Sequence, residues 1–213
     1  MATKQKQPRV PGTPGRRQKV ARGDVQETAL HEASHLVVGH ALGRRAVYVR
    51  ITPERLPDGR TSLGLVLVEP DLTEEITTEH AAGVPITAEQ RRWVLEEAVI
   101  TLAGAVAEMV ARPETAAADM ERAGWCALML GVVRPHPGTP HMEADPRFID
   151  TAAAIAHTVT RERETGVLAM AKALAAAGEM REPQIAAVLT DAARGSHMHL
   201  TVGLNAIAVE RAG

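Results

Sequence analysis

Val25-Gln26-Glu27-Thr28-Ala29-Leu30-His31-Glu32-Ala33-Ser34-His35-Leu36-Val37-Val38-Gly39-His40-Ala41-Leu42 is the stretch on which the reading of the whole chain turns. Ala29, Leu30, Ala33, Leu36 and Val37 recur at helical spacing, which predicts a helix from about Val25 to Leu42. Gly43 supplies a stop, with Arg44 and Arg45 just after it. Inside that helix lies His31-Glu32-Ala33-Ser34-His35, the pattern H-E-x-x-H. Residues four apart on a helix share a face. The imidazoles of His31 and His35 can therefore point at one zinc ion, at about 2.0–2.1 Å per Zn–N bond. Glu32 follows the first histidine directly. It can reach a water on the ion without ligating the ion, which is the placement of a metallopeptidase general base. Zinc lowers the pKa of its water to about 7 and polarises the scissile carbonyl. The carboxylate then moves a proton to the leaving amine.

Two histidines do not complete such a site, because a catalytic zinc has three protein ligands and an open position. The extended pattern H-E-x-x-H-x-x-G-x-x-H fails here, since its later positions hold Val38 and Ala41. A downstream carboxylate is the other source. Glu108, Glu114, Asp119 and Glu121 are candidates by type, and spacing alone does not choose among them. The remaining histidines (His40, His80, His136, His141, His157, His197 and His199) read as surface or core residues without a zinc role.

Working outward, Ala46–Thr52 and Ser62–Val68 read as strands. The Pro57-Asp58-Gly59 turn signal falls in the long connection of this hairpin. Residues 69–86 read as irregular. A helix is expected from Thr87 through Val110, opened by a Thr87/Gln90 capping box and stopped by Pro113. Another is expected over Thr115–Val132, then a loop over Pro135–Pro146, then two helices over Pro146–Ala177 and Glu182–Ala193. The fold class expected is mainly α with a small β-hairpin or sheet. Ser62–Val68 is also a candidate edge for an added peptide strand.

The 213 residues are 45% apolar and only 2% aromatic, so the core must be built from Ala, Leu, Val, Ile and Met. That composition favours close-packed helices over a large sheet. Residues 1–22 form a basic tail with little to bury and are expected to be disordered; 23–194 form the domain, and 195–213 a C-terminal tail. The net charge of −2 argues against nucleic-acid binding, apart from what the basic tail does. Cys126 is the one cysteine and excludes an intrachain disulfide and a cysteine-rich zinc site. It reads as a buried, inert thiol in a reducing, cytoplasmic setting. The longest apolar run, Ala98–Ala107, falls short of a membrane span.

Several motifs together resemble the peptidase domain of the FtsH family of zinc proteases. His31-Glu32-Ala33-Ser34-His35 stands where that family has H-E-A-G-H. Leu102-Ala103-Gly104-Ala105-Val106-Ala107-Glu108 matches its L-A-G-x-x-A-E, and Ala118-Asp119-Met120-Glu121-Arg122-Ala123 its N-D-L-x-x-A. Leu174–Leu189 looks like its closing pair of helices. The resemblance runs from about Val25 to Ala193. It implies a helical zinc-peptidase fold and makes Asp119 the third zinc ligand. Glu108 is the runner-up, or a buried partner orienting a ligand. The family's ATPase module and membrane anchors are not in this sequence. The expectation is therefore cleavage of flexible peptides or unfolded protein segments, alone or beside a separate ATPase or regulatory partner. The alternative is a catalytically silent, peptidase-derived binding module.

Overall fold

The computed structural model describes residues 22–55, 61–107, 113–136 and 141–192. Residues 1–21 of the expected N-terminal tail, the whole expected C-terminal tail and Glu108 lie outside the described residues, and Arg22 opens a helix. Among the described residues, seven helices carry the fold: α1 (Arg22–Ala41), α2 (Thr73–Ala81), α3 (Ala88–Ala107), α4 (Pro113–Met129), α5 (Pro146–Glu162), α6 (Glu164–Ala177) and α7 (Glu182–Ala192). The strands are β1 (Arg45–Arg50), β2 (Glu54–Arg55), β3 (Thr61–Ser62), β4 (Leu65–Glu69), β5 (Val133–Pro135), β6 (Met142–Ala144) and β7 (Glu179–Arg181). The result is a mainly helical α+β fold with small antiparallel sheets, as the aromatic-poor composition predicts. Among the described residues, no helix is long and apolar enough to cross a membrane.

The helix α1 is the axis of the domain and packs chiefly on α3 and α6. Its faces serve different cores. Ala29, Ala33, Leu36 and Val37 join Val49, Met170, Leu174 and Ile185 in one cluster under the sheet. Val38 and Leu42 join the alanine-rich faces of α3, α4 and α5 in the other. His31 and His35 continue the Val38/Leu42 stripe toward the N-terminus, so the two imidazoles face α3 rather than solvent. The capping box forms as expected. Thr87 N–H donates to Gln90 Oε1 at 2.8 Å, and Gln90 N–H to Thr87 Oγ1 at 3.1 Å.

The expected hairpin exists, with β1 and β4 antiparallel and Tyr48 opposite Leu67. A third strand, β7, adds to the other edge of β1 and gives the order β4-β1-β7. Three residues are too few to display a period of two, and their pairing comes from β1, which is distant in sequence.

Three expectations need correction. Residues 69–86 are not irregular throughout, because they contain α2. Asp71 Oδ1 accepts from Thr73 N–H at 3.0 Å at its start, and Ile76 is its one buried residue. A single apolar anchor leaves no periodicity to read. The expected loop Pro135–Pro146 holds the last residue of β5 and all of β6, which pair antiparallel. The helix expected over Pro146–Ala177 is two helices broken at Arg163, whose φ/ψ of −110°/17° leave the helical region. Val159, before the break, packs into one core and Val167, after it, into the other. The polar run Thr160–Thr165 between them anchors in neither.

Candidate metal centre

Three side chains from two helices converge at the wall of a cavity of about 630 Å³. His31 and His35 come from α1 and are 6% and 8% exposed. Asp119 comes from α4. The Nε2 atoms of the two histidines are 3.0 Å apart. Asp119 Oδ2 lies 3.4 Å from His31 Nε2, and its Oδ1 lies 3.8 Å from His35 Nε2. Ligands at about 2.1 Å in a tetrahedron are separated by about 3.4 Å, so these spacings match three corners around one zinc. Among the described residues this is the group of histidines and carboxylates that could hold a metal ion.

The ring of His35 is oriented from behind. Its Nδ1 lies 2.7 Å from the Ile100 carbonyl oxygen. A carbonyl only accepts, so Nδ1 carries the hydrogen and Nε2 is turned to the shared point. That is how metal-binding imidazoles are commonly held. Burial first, and the neighbouring His35 second, lower the pKa of His31 to about 3. Burial pushes on His35 in the same direction. Asp119, Glu32, the Ile100 carbonyl and Glu97 outweigh that push and hold His35 above its ordinary value. A cation held between the Nε2 atoms would therefore have to displace a proton from His35.

Gly104 on α3 makes the cradle. A Cβ there would lie 2.5 Å from His35 Nε2 and 2.6 Å from His31 Nε2, closer than atoms pack. Only a residue without a side chain lets α3 approach the pair this closely. The sequence reading quoted Gly104 in a motif but assigned it no task. The available signal was a glycine inside a strongly helical run. Gly64, before β4, has the same relation to Glu32, since its Cβ would meet Glu32 Cδ at 2.5 Å and Cγ at 2.7 Å. Glu32 is 7% exposed and lines the cavity under the start of the edge strand.

The sequence matches no family model and no curated protein.

The other candidates sort themselves by position. Glu121 lines the cavity but is exposed and is not in the three-residue cluster. Glu114 lies on α4, and its side chain is outside the described residues, as Glu108 is. His80, His136, His141 and His157 are exposed, and His197 and His199 fall outside the described residues. Cys126 is fully buried, and burial pushes its thiol up, so it is held as an un-ionised thiol. Ser34, where the resembled motif has glycine, is accommodated by donating to the Leu30 carbonyl at 2.8 Å.

Proposed function

We propose that this domain is a zinc-dependent endopeptidase acting on flexible or unfolded protein segments, with His31, His35 and Asp119 holding zinc and Glu32 as general base. The observation that carries the reading is the convergence of two imidazoles and one carboxylate at tetrahedral spacing in an open cavity, with a second carboxylate, that of Glu32, beside them. The resemblance to the FtsH-family peptidase domain supports it. Its first three motifs fall on α1, α3 and α4, the helices that build this site.

A zinc ion held there supplies Lewis-acid polarisation of a carbonyl and acidification of water. The chain's own residues do the rest. The carboxylate of Glu32 takes a proton from the attacking water and returns it to the departing amine nitrogen. The edge strand β4 has one side paired to β1 and its other side unpaired among the described residues. Val66 and Val68 of that strand line the same cavity as the histidines. An extended substrate segment adding to this edge is led past the three ligands, with main-chain hydrogen bonds giving affinity for any flexible sequence. An unfolded segment can adopt that extended form; a folded helix cannot.

The test compares wild type with Glu32→Gln on an unfolded casein substrate, after metal analysis of both. The expected result is one zinc per chain in both proteins. Cleavage should fall by about 10²–10⁴-fold in the variant, the usual contribution of a general base. Equal cleavage by the two proteins refutes the mechanism. Zinc without turnover in wild type supports the silent binding module instead.

A further inference from the structure

We propose that Glu97 and Arg122 are positioning residues, which set the register of α4 along α3 and thereby place Asp119 beside the histidine pair. The inference rests on reading His31, His35 and Asp119 as a metal site, and it concerns what assembles that site.

Two of its ligands share a helix, so their spacing is local. The third does not. Asp119 reaches the pair only if α4 lies on α3 at one particular height. Three rungs link these helices, the first of them through the imidazoles of α1. At the first, Gly104 and the Ile100 carbonyl touch the imidazoles that Asp119 approaches. At the second, Arg122 Nε and Nη2 donate to Glu97 Oε1 at 3.1 and 2.8 Å. At the third, Trp125 meets Trp93 edge to face, with centroids 6.4 Å apart. The rungs descend α3 as they climb α4, at spacings of three and four residues on α3 and of three on α4, so they lie on facing stripes of an antiparallel pair.

The buried cluster to which α3 and α4 both contribute mixes alanines with Val94, Ile100, Leu102 and Cys126. Ala98, Ala103, Ala123 and Ala127 are all fully buried. Alanine surfaces offer little to interlock, so these four do little to resist a slip of one turn. Such a slip is about 5.4 Å, larger than any ligand separation in the site. It would carry Asp119 out of reach. A directional polar pair is the device that selects one register among similar apolar ones. Arg122 is further held by donating to Thr73 Oγ1 of α2 at 2.6 Å, and its guanidinium lies 4.5 Å from the centre of the Trp125 ring. Glu97 is 12% exposed and Arg122 30%, so water competes little for the carboxylate.

The experiment measures zinc affinity by chelator competition, the visible spectrum of the cobalt(II)-loaded protein, and the melting temperature of the metal-free protein. The variants are Arg122→Lys and the double variant Glu97→Gln/Arg122→Met, which removes both charges together and leaves neither one stranded. The expected result is zinc binding weakened by about 10–100-fold in the double variant, the usual effect of losing a residue that orients a ligand. Its cobalt spectrum should change, since a protein ligand has moved. Arg122→Lys keeps the charge but loses the two-nitrogen grip, and should fall between. Wild-type zinc affinity and an unchanged cobalt spectrum in both variants, with only the melting temperature lowered, overturn the inference and leave the metal site standing. Failure of wild type to bind zinc or cobalt overturns the ligand assignment itself, and this inference with it. If the double variant does not fold, Arg122→Lys decides by the same two readouts.

Discussion

Replacing Gly104 with alanine adds one methyl group where α3 faces the histidine pair. That carbon would sit 2.5 Å from His35 Nε2 and 2.6 Å from both Cε1 and Nε2 of His31, against 3.4–4 Å for ordinary contact. Either both rings retreat by about 1 Å or α1 and α3 move apart. The stability effect is the difference of two terms. Overpacking costs about 1–3 kcal/mol, and alanine in place of glycine in a helix returns about 1 kcal/mol. The metal-free protein should therefore lose at most about 2 kcal/mol, or about 4–8 °C in melting temperature for a chain of this size. Metal binding has no such compensation. A ligand displaced by about 1 Å is half a Zn–N bond length out of place. Losing only an orienting partner costs about 10–100-fold in affinity, so moving two ligands should cost at least about 100-fold, or about 2.7 kcal/mol. Chelator competition measures the affinity and a thermal melt of the metal-free protein measures the fold. A Gly104→Ala protein that binds zinc as tightly as wild type refutes the cradle argument.

Gly64→Ala should do the complementary thing, because the three atoms nearest its added Cβ all belong to Glu32. Zinc affinity should stay within about twofold while cleavage of an unfolded substrate falls by about tenfold or more; weakened zinc binding with normal turnover contradicts this. Zinc affinity should fall with pH. His35 is held above its ordinary value, so its proton must leave for zinc to bind, and below that folded value affinity should drop about tenfold per pH unit. In the metal-free protein the same shift makes His35's contribution to stability present below pH 6.5 and lost as pH rises through the folded value. Titrations at about pH 5.5 and about pH 7.5 with equal zinc affinity would contradict this competition. Arg44→Met should destabilise the fold by about 3 kcal/mol. Arg44 donates to the carbonyls of Pro70 at 3.0 Å and Trp93 at 2.9 Å and pairs with Glu96 at 3.3 Å while 4% exposed. Glu96 keeps Arg92 at 2.7 Å, which limits the loss. A melting temperature within about 2 °C of wild type contradicts this account.

Some of this molecule follows from short-range pattern. The helix around His31 and His35 did, because hydrophobic spacing and the four-residue ligand spacing are properties of one segment. The capping box at Thr87 did for the same reason. The α2 helix did not, since its one buried residue, Ile76, leaves no repeat to detect. The strand β7 did not, because Glu179–Arg181 is extended only where β1 offers an edge. Arg44 read as a charge following a helix stop, and burial against Trp93 and Glu96 was invisible until α3 was in place.

Within a single helix, then, the sequence alone determined that two imidazoles share a face with a glutamate beside them, because helical geometry ties position in the chain to direction in space. Asp119 was implied by the family resemblance and not by its spacing; that its carboxylate meets the two imidazoles, the reach of α3 past Gly104, and the roofing of Glu32 by Gly64 were decided only by tertiary structure. Each depends on how far apart two packed elements sit. That distance is set by the side chains of both at once, and no single stretch of sequence contains it.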